Sequence, residues 1–146
     1  MLKFPARFEP DPAGGYVVTF RDIPEAITQA DTLEEAREMA RDALVTAMDF
    51  YFEDGRAVPA PTKSRRGEEV VALPPSIATK VELLNRIVQS KTRPIDLARR
   101  MGIKAQEVTR ILDLHHTTKI DTLADAFAAL GYELDLSVNQ RPAAVA

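Results

Sequence analysis

Six carboxylates and two adjacent imidazoles are the side chains in this chain whose types and spacing could do chemistry. Asp22 and Glu25 share the short stretch "FRDIPEA", Glu53 and Asp54 stand together before Gly55, and Glu68 and Glu69 open the run "EEVVAL". Two-metal hydrolysis needs several carboxylates converging on ions about 4 Å apart. None of these pairs stands beside an acid in the first strand-like run, "LKFPARF", which has none. His115 and His116 are neighbours in sequence, so both can face one ion only if the loop bends for it, and no repeated histidine spacing supports a site. They read as a structural or phosphate-facing loop. The chain has no cysteine, which removes disulfides, thiolate zinc sites and cysteine nucleophiles. The expectation is no catalytic residue, no metal and no cofactor.

Charge offers a different chemistry. The net charge of −3 hides an asymmetry: residues 1–73 carry 9 Lys/Arg against 14 Asp/Glu, residues 74–146 carry 10 against 8. Within the back half, Lys80 to Arg110 holds eight Lys/Arg against three acids. A basic segment in an acidic protein fits a polyanion. The spacing in "PIDLARRMGIKAQEVTRIL" sharpens this. Leu97 and Ala98 fall inside one short helix, Gly102 stands at a bend, and Ile103, Val108 and Ile111 pack a second helix back against the first. That is a helix-turn-helix pattern, whose second helix enters the major groove. On it Lys104, Gln106, Glu107 and Arg110 point outward. Gln106 suits an adenine edge and Arg110 a guanine edge or a phosphate, while Thr92, Arg93 and Lys104 suit backbone phosphates.

The elements that must position these residues follow from period. Leu2, Phe4, Ala6 and Phe8 alternate with polar neighbours as a half-buried strand, with Pro5 pointing to a sheet edge. "EPDPAGG" breaks the run, and Tyr16, Val18 and Phe20 alternate again, which predicts an antiparallel hairpin. A weaker strand is expected at 26–30. Thr32-Leu33-Glu34-Glu35 has the form of a capping box, and apolar residues at helical spacing predict a helix over 32–53, stopped by Gly55. After a proline-containing loop comes a strand over 69–73, and Pro74-Pro75 reads as a stiff boundary.

The back half reads as helices over 76–90 (capped by Ser76), 94–101, 105–112 and 120–130. Tyr132, Leu134, Leu136 and Val138 then alternate with polar residues as a strand. Isolated among helices, it wants a partner, most simply its copy in a second subunit. No run reaches the roughly 18 apolar residues of a membrane span, and the start lacks a signal-peptide apolar region, so a cytoplasmic, membrane-free location is expected.

Taken together, "GGYVVTFRDIPEAITQADTLEEA", "ALVTAMDFYFEDGRAVPAP" and "LARRMGIKAQEVTRILDLHHTTKIDTLADAFAALGYELDL" resemble the HicB antitoxins of bacterial HicAB toxin-antitoxin systems, over nearly all of residues 2–138. The resemblance implies an α+β chain. Its front, 1–73, would be a partial RNase H-like β-β-β-α-β domain that sequesters a HicA-type RNA-cleaving toxin. A linker at 74–78 would lead to a Cro/XRE-like helix-turn-helix domain, 79–138, that binds operator DNA of its own operon, dimerises and ends in a β-strand; 139–146 would be a tail. RNase H enzymes take one metal-binding acid from the first strand, and "LKFPARF" lacks it, so no enzyme is expected. An acidic front suits a basic toxin, and Asp22, Glu25, Glu53 and Asp54 are the candidate contacts. One helix-turn-helix reads a half-site, so a homodimer is expected, or a homotetramer built through the front domains. The competing reading is a stand-alone, ligand-responsive transcriptional regulator with a non-catalytic sensor domain in front; a scaffold whose helix-turn-helix only dimerises is a third.

Overall fold

β1 (Lys3–Pro10) carries the period-2 signal into the structure: Phe4 and Ala6 are fully buried, while Lys3 and Arg7 are exposed. The computed structural model describes residues 2–143. Within them β1 is followed by β2 (Tyr16–Phe20), β3 (Ile27–Ala30), α1 (Leu33–Asp54) and β4 (Glu68–Ala72), then by α2 (Pro75–Ser90), α3 (Pro94–Met101), α4 (Ala105–Ile111) and α5 (Ile120–Ala129). The strands form one antiparallel sheet in the order β3-β2-β1-β4.

The β1–β2 hairpin closes through Asp11. Its N–H donates to the Gly15 carbonyl, its carbonyl accepts from Gly14, and its carboxylate accepts from the Ala13 N–H, each at 2.9 Å. Gly15 has φ +76°, and a Cβ there would lie 2.5 Å from the Ala30 carbonyl oxygen, so only glycine fits where the hairpin end meets β3. Pro5 does not mark an outer strand, because β1 pairs on both sides. The β2 ladder ends at the Ala6–Phe20 pair, so Pro5 sits one residue beyond it and faces only Val70 of β4.

α1 begins where the capping pattern predicts: the Glu35 N–H donates to Thr32 Oγ1 at 3.1 Å. It ends at Gly55, in the left-handed region at φ 61°. Ala36, Ala40, Leu44, Ala47, Met48 and Tyr51 form its buried stripe, whose alanines let the helix lie close to the sheet. With Phe4, Val18, Phe20, Ile23, Val71 and Leu73 they make the first core.

α2 starts at Pro75, so four of the five residues of the expected 74–78 linker belong to the helix. Pro74 holds the N-cap position, and Ser76 lies inside the first turn rather than capping it. Ile77, Ala78, Val81 and Leu84 of α2 join the first core, and Leu83 and Ile87 join the second, with Leu97, Ala98, Val108, Ile111, Leu123 and Phe127. One helix thereby belongs to both cores.

The strand expected at Tyr132–Val138 does not form. The Tyr132 N–H donates to the Phe127 carbonyl at 2.9 Å, and Leu134 packs against the second core, but no ladder follows. Leu136 and Val138 are 74% and 99% exposed. The physical reason is the one that made the strand conspicuous in sequence: the chain's sheet lies in the front half, and a strand needs a neighbour to bond.

Candidate functional site

Five of the six front acids, all but Glu53, are paired with an arginine. Arg21 donates to Glu68 Oε1 at 2.7 Å and lies 3.6 Å from Asp22, so a guanidinium stands between the two carboxylates. Hydrogen bonding to Arg21 holds the Glu68 carboxyl below the usual carboxylate range. Asp22 also accepts from the Thr62 N–H at 2.8 Å and from its hydroxyl, pinning the loop before β4. Glu25 accepts from Tyr51 Oη at 2.7 Å and from Arg56 at 2.9 Å, and that guanidinium lies 3.9 Å over the Tyr51 ring. Burial alone would raise the Glu25 carboxyl; the Tyr51 and Arg56 hydrogen bonds outweigh it and leave the group lowered. Glu69 takes a bidentate pair from Arg37 at 2.8 and 2.9 Å.

The acids expected to contact a toxin differ in their internal partners. Asp22 and Glu25 are half-buried clamps that tie loops to the sheet and to α1. Asp54 is exposed and pairs with Arg56 at 3.1 Å. Glu53 is exposed at the end of α1. The four do not converge on one surface made of uncommitted carboxylates. Sequence could show that acids stood at a turn, but not that Arg56, 31 positions on, would meet Glu25, nor that Thr62, 40 positions on, would meet Asp22.

The back half builds a surface from α3, the turn at Gly102 and α4. Pro94 fits the first turn of α3, where its missing N–H costs nothing. Gly102, at φ 70°, returns its N–H to the last turn of α3 and reverses the chain. Leu97 and Ala98 on one helix and Val108 and Ile111 on the other are buried together. Lys104, Gln106, Glu107 and Arg110 are all exposed on the opposite face. Of the residues expected before α3, Arg93 is exposed but paired with Asp96 at 2.9 Å. Thr92 departs from its expected place near phosphates: it is buried, and its hydroxyl lies 2.7 Å from Ser90 Oγ.

A residue that sequence counted only as one more positive charge holds this surface in place. Lys80 of α2 is 2% exposed, and its ammonium donates to the carbonyls of Asp113 and His116 at 2.7 Å and approaches that of Arg110 at 3.4 Å. Burial pushes its pKa below the usual lysine value. Lys80 thus ties together the loop that follows α4, adding a donor to the Asp113 carbonyl, which also accepts from the His116 N–H at 3.2 Å, and to the His116 carbonyl. The imidazole of His115 reaches Asp49 of α1 at 3.1 Å, and Leu114 packs against the first core. The two histidines therefore belong to a loop fastened to both halves. Its one legible signal was a lysine at position 80 between the apolar residues Ile77, Val81 and Leu84.

A family model described as "HicB_like antitoxin of bacterial toxin-antitoxin system" matches residues 3–82, which run from the start of β1 into α2. The chain belongs to this HicB-like antitoxin family. Relatives extend the likeness through the back half. "Antitoxin HicB 1" of Photorhabdus laumondii is 53% identical over 94% of this chain and 87% of its own length. "Antitoxin HicB" of Escherichia coli (strain K12) is 49% identical over 92% of this chain and 98% of its own length. "Antitoxin HicB" of Pseudomonas fluorescens is 36% identical over 86% of each. Among the described residues no helix is long and apolar enough to cross a membrane.

Proposed function

We propose that this HicB-like chain is the antitoxin of a HicAB pair, neutralising a HicA-type RNA-cleaving toxin with its front half and repressing its own operon with its back half. The observation that carries the DNA-binding half is α4. A short helix set across Gly102 from α3 buries Val108 and Ile111 and presents Lys104, Gln106, Glu107 and Arg110 together. That is the arrangement a Cro/XRE-like helix-turn-helix uses to set one helix in the major groove. Arg110 and Gln106 are the base-reading candidates; Lys104, and Arg93 once released from Asp96, would hold phosphates. Family membership carries the toxin-neutralising half, and the β-β-β-α-β order of residues 1–73 fits a partial RNase H-like domain.

A single helix-turn-helix reads one half-site, so operator binding calls for a dimer. Tyr132, Leu134, Leu136 and Val138 are the proposed dimerisation segment, because Leu136 and Val138 are exposed apolar residues on extended chain. Pairing with its copy would supply the ladder this segment lacks. A ligand-sensing front half would need an enclosed apolar pocket. Instead the first core is filled by side chains such as Phe4, Tyr51 and Met48.

The test has two arms. Expressing the small toxin encoded beside this gene should arrest growth, and co-expressing this chain should restore it. Purified chain should retard the DNA upstream of its own gene, with an affinity that falls steeply with salt. Failure of rescue refutes the antitoxin reading, and failure to bind that DNA at low salt refutes the repressor reading.

A further inference from the structure

The outward side of α1 and the neighbouring edge of the sheet form a trough that none of the sequence motifs announced. β3 is an outer strand, with β2 on its inner side. Beside it run two adjoining recesses that share Met39. One is lined by Gln29, Asp31, Glu35 and Glu38, the other by Ile27, Thr28, Asp42, Thr46 and Phe50. Apart from Glu25, which Arg56 holds, the two recesses are bordered by five carboxylates, Asp11, Asp31, Glu35, Glu38 and Asp42, and by no lysine, arginine or histidine. The apolar side chains along it are unusually open for their size: Ile27 is 63% exposed, Met39 42% and Phe50 50%. Met39, Asp42, Thr46 and Phe50 share one helix face by their spacing, away from the buried stripe of α1.

These features select an occupant. An outer strand offers backbone donors and acceptors along its free side, which another strand can bond. Apolar side chains beside it reward desolvation. The rim decides between a second copy and a foreign partner. In a two-fold contact the same patch meets itself, so a self-pairing trough would set carboxylates against carboxylates. A partner bearing lysines and arginines meets complementary charge instead.

We propose that the β3–α1 trough is the toxin-docking surface: a cationic, extended segment of the toxin adds to β3, its lysines or arginines facing Glu35, Glu38 and Asp42, its apolar residues covering Met39 and Phe50. The proposal rests on the antitoxin reading above and moves the contact away from Asp22, Glu25 and Asp54, which are spoken for internally.

The experiment measures binding kinetics between the full chain and the toxin encoded beside its gene, purified from their complex and recombined at two salt concentrations. Glu35→Lys combined with Asp42→Lys should slow association about tenfold or more at low salt, and less at high salt. Met39→Ala and Phe50→Ala should each leave association nearly unchanged and speed dissociation about tenfold. Asp121→Lys combined with Asp125→Lys, an equal charge change on α5, is expected to change neither rate. All these positions are solvent-exposed, and melting curves confirm that the variants fold. Wild-type binding with trough variants within about twofold of it overturns the trough and leaves the antitoxin reading intact. No wild-type binding at either salt overturns both. Altered sedimentation of the trough variants without toxin makes the trough a contact between copies and overturns the proposal.

Discussion

Replacing Lys80 by methionine tests whether the buried ammonium holds the end of α4. Methionine keeps the length and most of the volume of the side chain, so its packing changes little. What it removes is two 2.7 Å hydrogen bonds, to the carbonyls of Asp113 and His116. The 3.4 Å approach to Arg110 is too long to count for much. The Asp113 carbonyl keeps the His116 N–H at 3.2 Å, so the His116 carbonyl is the one left without this donor, at a cost of about 1–3 kcal/mol. Burial of the ammonium opposes this, as its lowered pKa shows, and the variant is relieved of that burden. The expected net loss is about 1 kcal/mol, a fall in melting temperature of about 2–4 °C for a chain of this size. Far-UV circular dichroism in heat and urea measures it. Hydrogen exchange should show faster exchange of the α4 amides than of the α1 amides. The pH dependence has a definite sign. Below both pKa values the folded and unfolded chains hold the Lys80 proton equally; as pH rises, the folded chain loses it first. The unfolded chain then binds more protons, so stability rises with pH, and the wild-type advantage over Lys80→Met should widen as pH approaches 10.5. A melting temperature within about 1 °C of wild type, with unchanged exchange in α4, would refute the anchoring role.

Further outcomes follow from other contacts. Gly15→Ala sets a Cβ 2.5 Å from the Ala30 carbonyl at φ +76°, and should destabilise the chain by about 2 kcal/mol or more in urea titration. Lowered carboxyls at Glu25, Glu68, Glu69 and Asp96 contribute stability that is complete above their unfolded values near 4 and is lost as pH falls through the folded ones. Acid unfolding followed by circular dichroism should therefore begin below about pH 4.5, and Tyr51→Phe, which removes a donor to Glu25, should move it to higher pH. Asp22→Asn weakens the hold on Thr62, and trypsin should cut faster after Lys63 and Arg65 without a comparable fall in melting temperature. Arg110→Ala should weaken operator binding about tenfold in gel retardation, with the loss confined to one base pair if the contact is to a base edge.

The fold was readable wherever one periodicity governed a whole element. Alternation at Phe4, Ala6, Val18 and Phe20 marked β1 and β2, and the Thr32 cap with the Ala36–Tyr51 stripe marked α1. Three kinds of information were not local. The place of Pro5 depended on where the β2 ladder stopped, which is a property of two strands in register. The fates of Asp22, Glu25 and Thr92 depended on partners: Thr62 for Asp22, the distant Arg56 and Tyr51 for Glu25, burial and Ser90 for the threonine. Met39 and Phe50 could have been found, because a helical projection of α1 leaves them off the buried stripe, beside Glu35 and Asp42. The helix was read for what it hides, and its exposed apolar residues went unasked.

The two halves are less separable than charge and motif implied, and magnitudes say which contacts join them. The His115–Asp49 pair is solvent-exposed on the histidine side and worth at most about 1 kcal/mol. Leu114 against the first core and Lys80 beneath the loop are buried or half-buried, and α2 adds apolar residues to both cores from a single rigid element. Moving α4 relative to the sheet would therefore mean breaking the Lys80 bonds or withdrawing Leu114, each dearer than releasing His115. The direction in which Gln106 and Arg110 face is thus set from α2 as much as from α3. A substitution in the interior of α2 should accordingly disturb both surfaces at once, whereas one on the outer face of α1 or of α4 should disturb only its own.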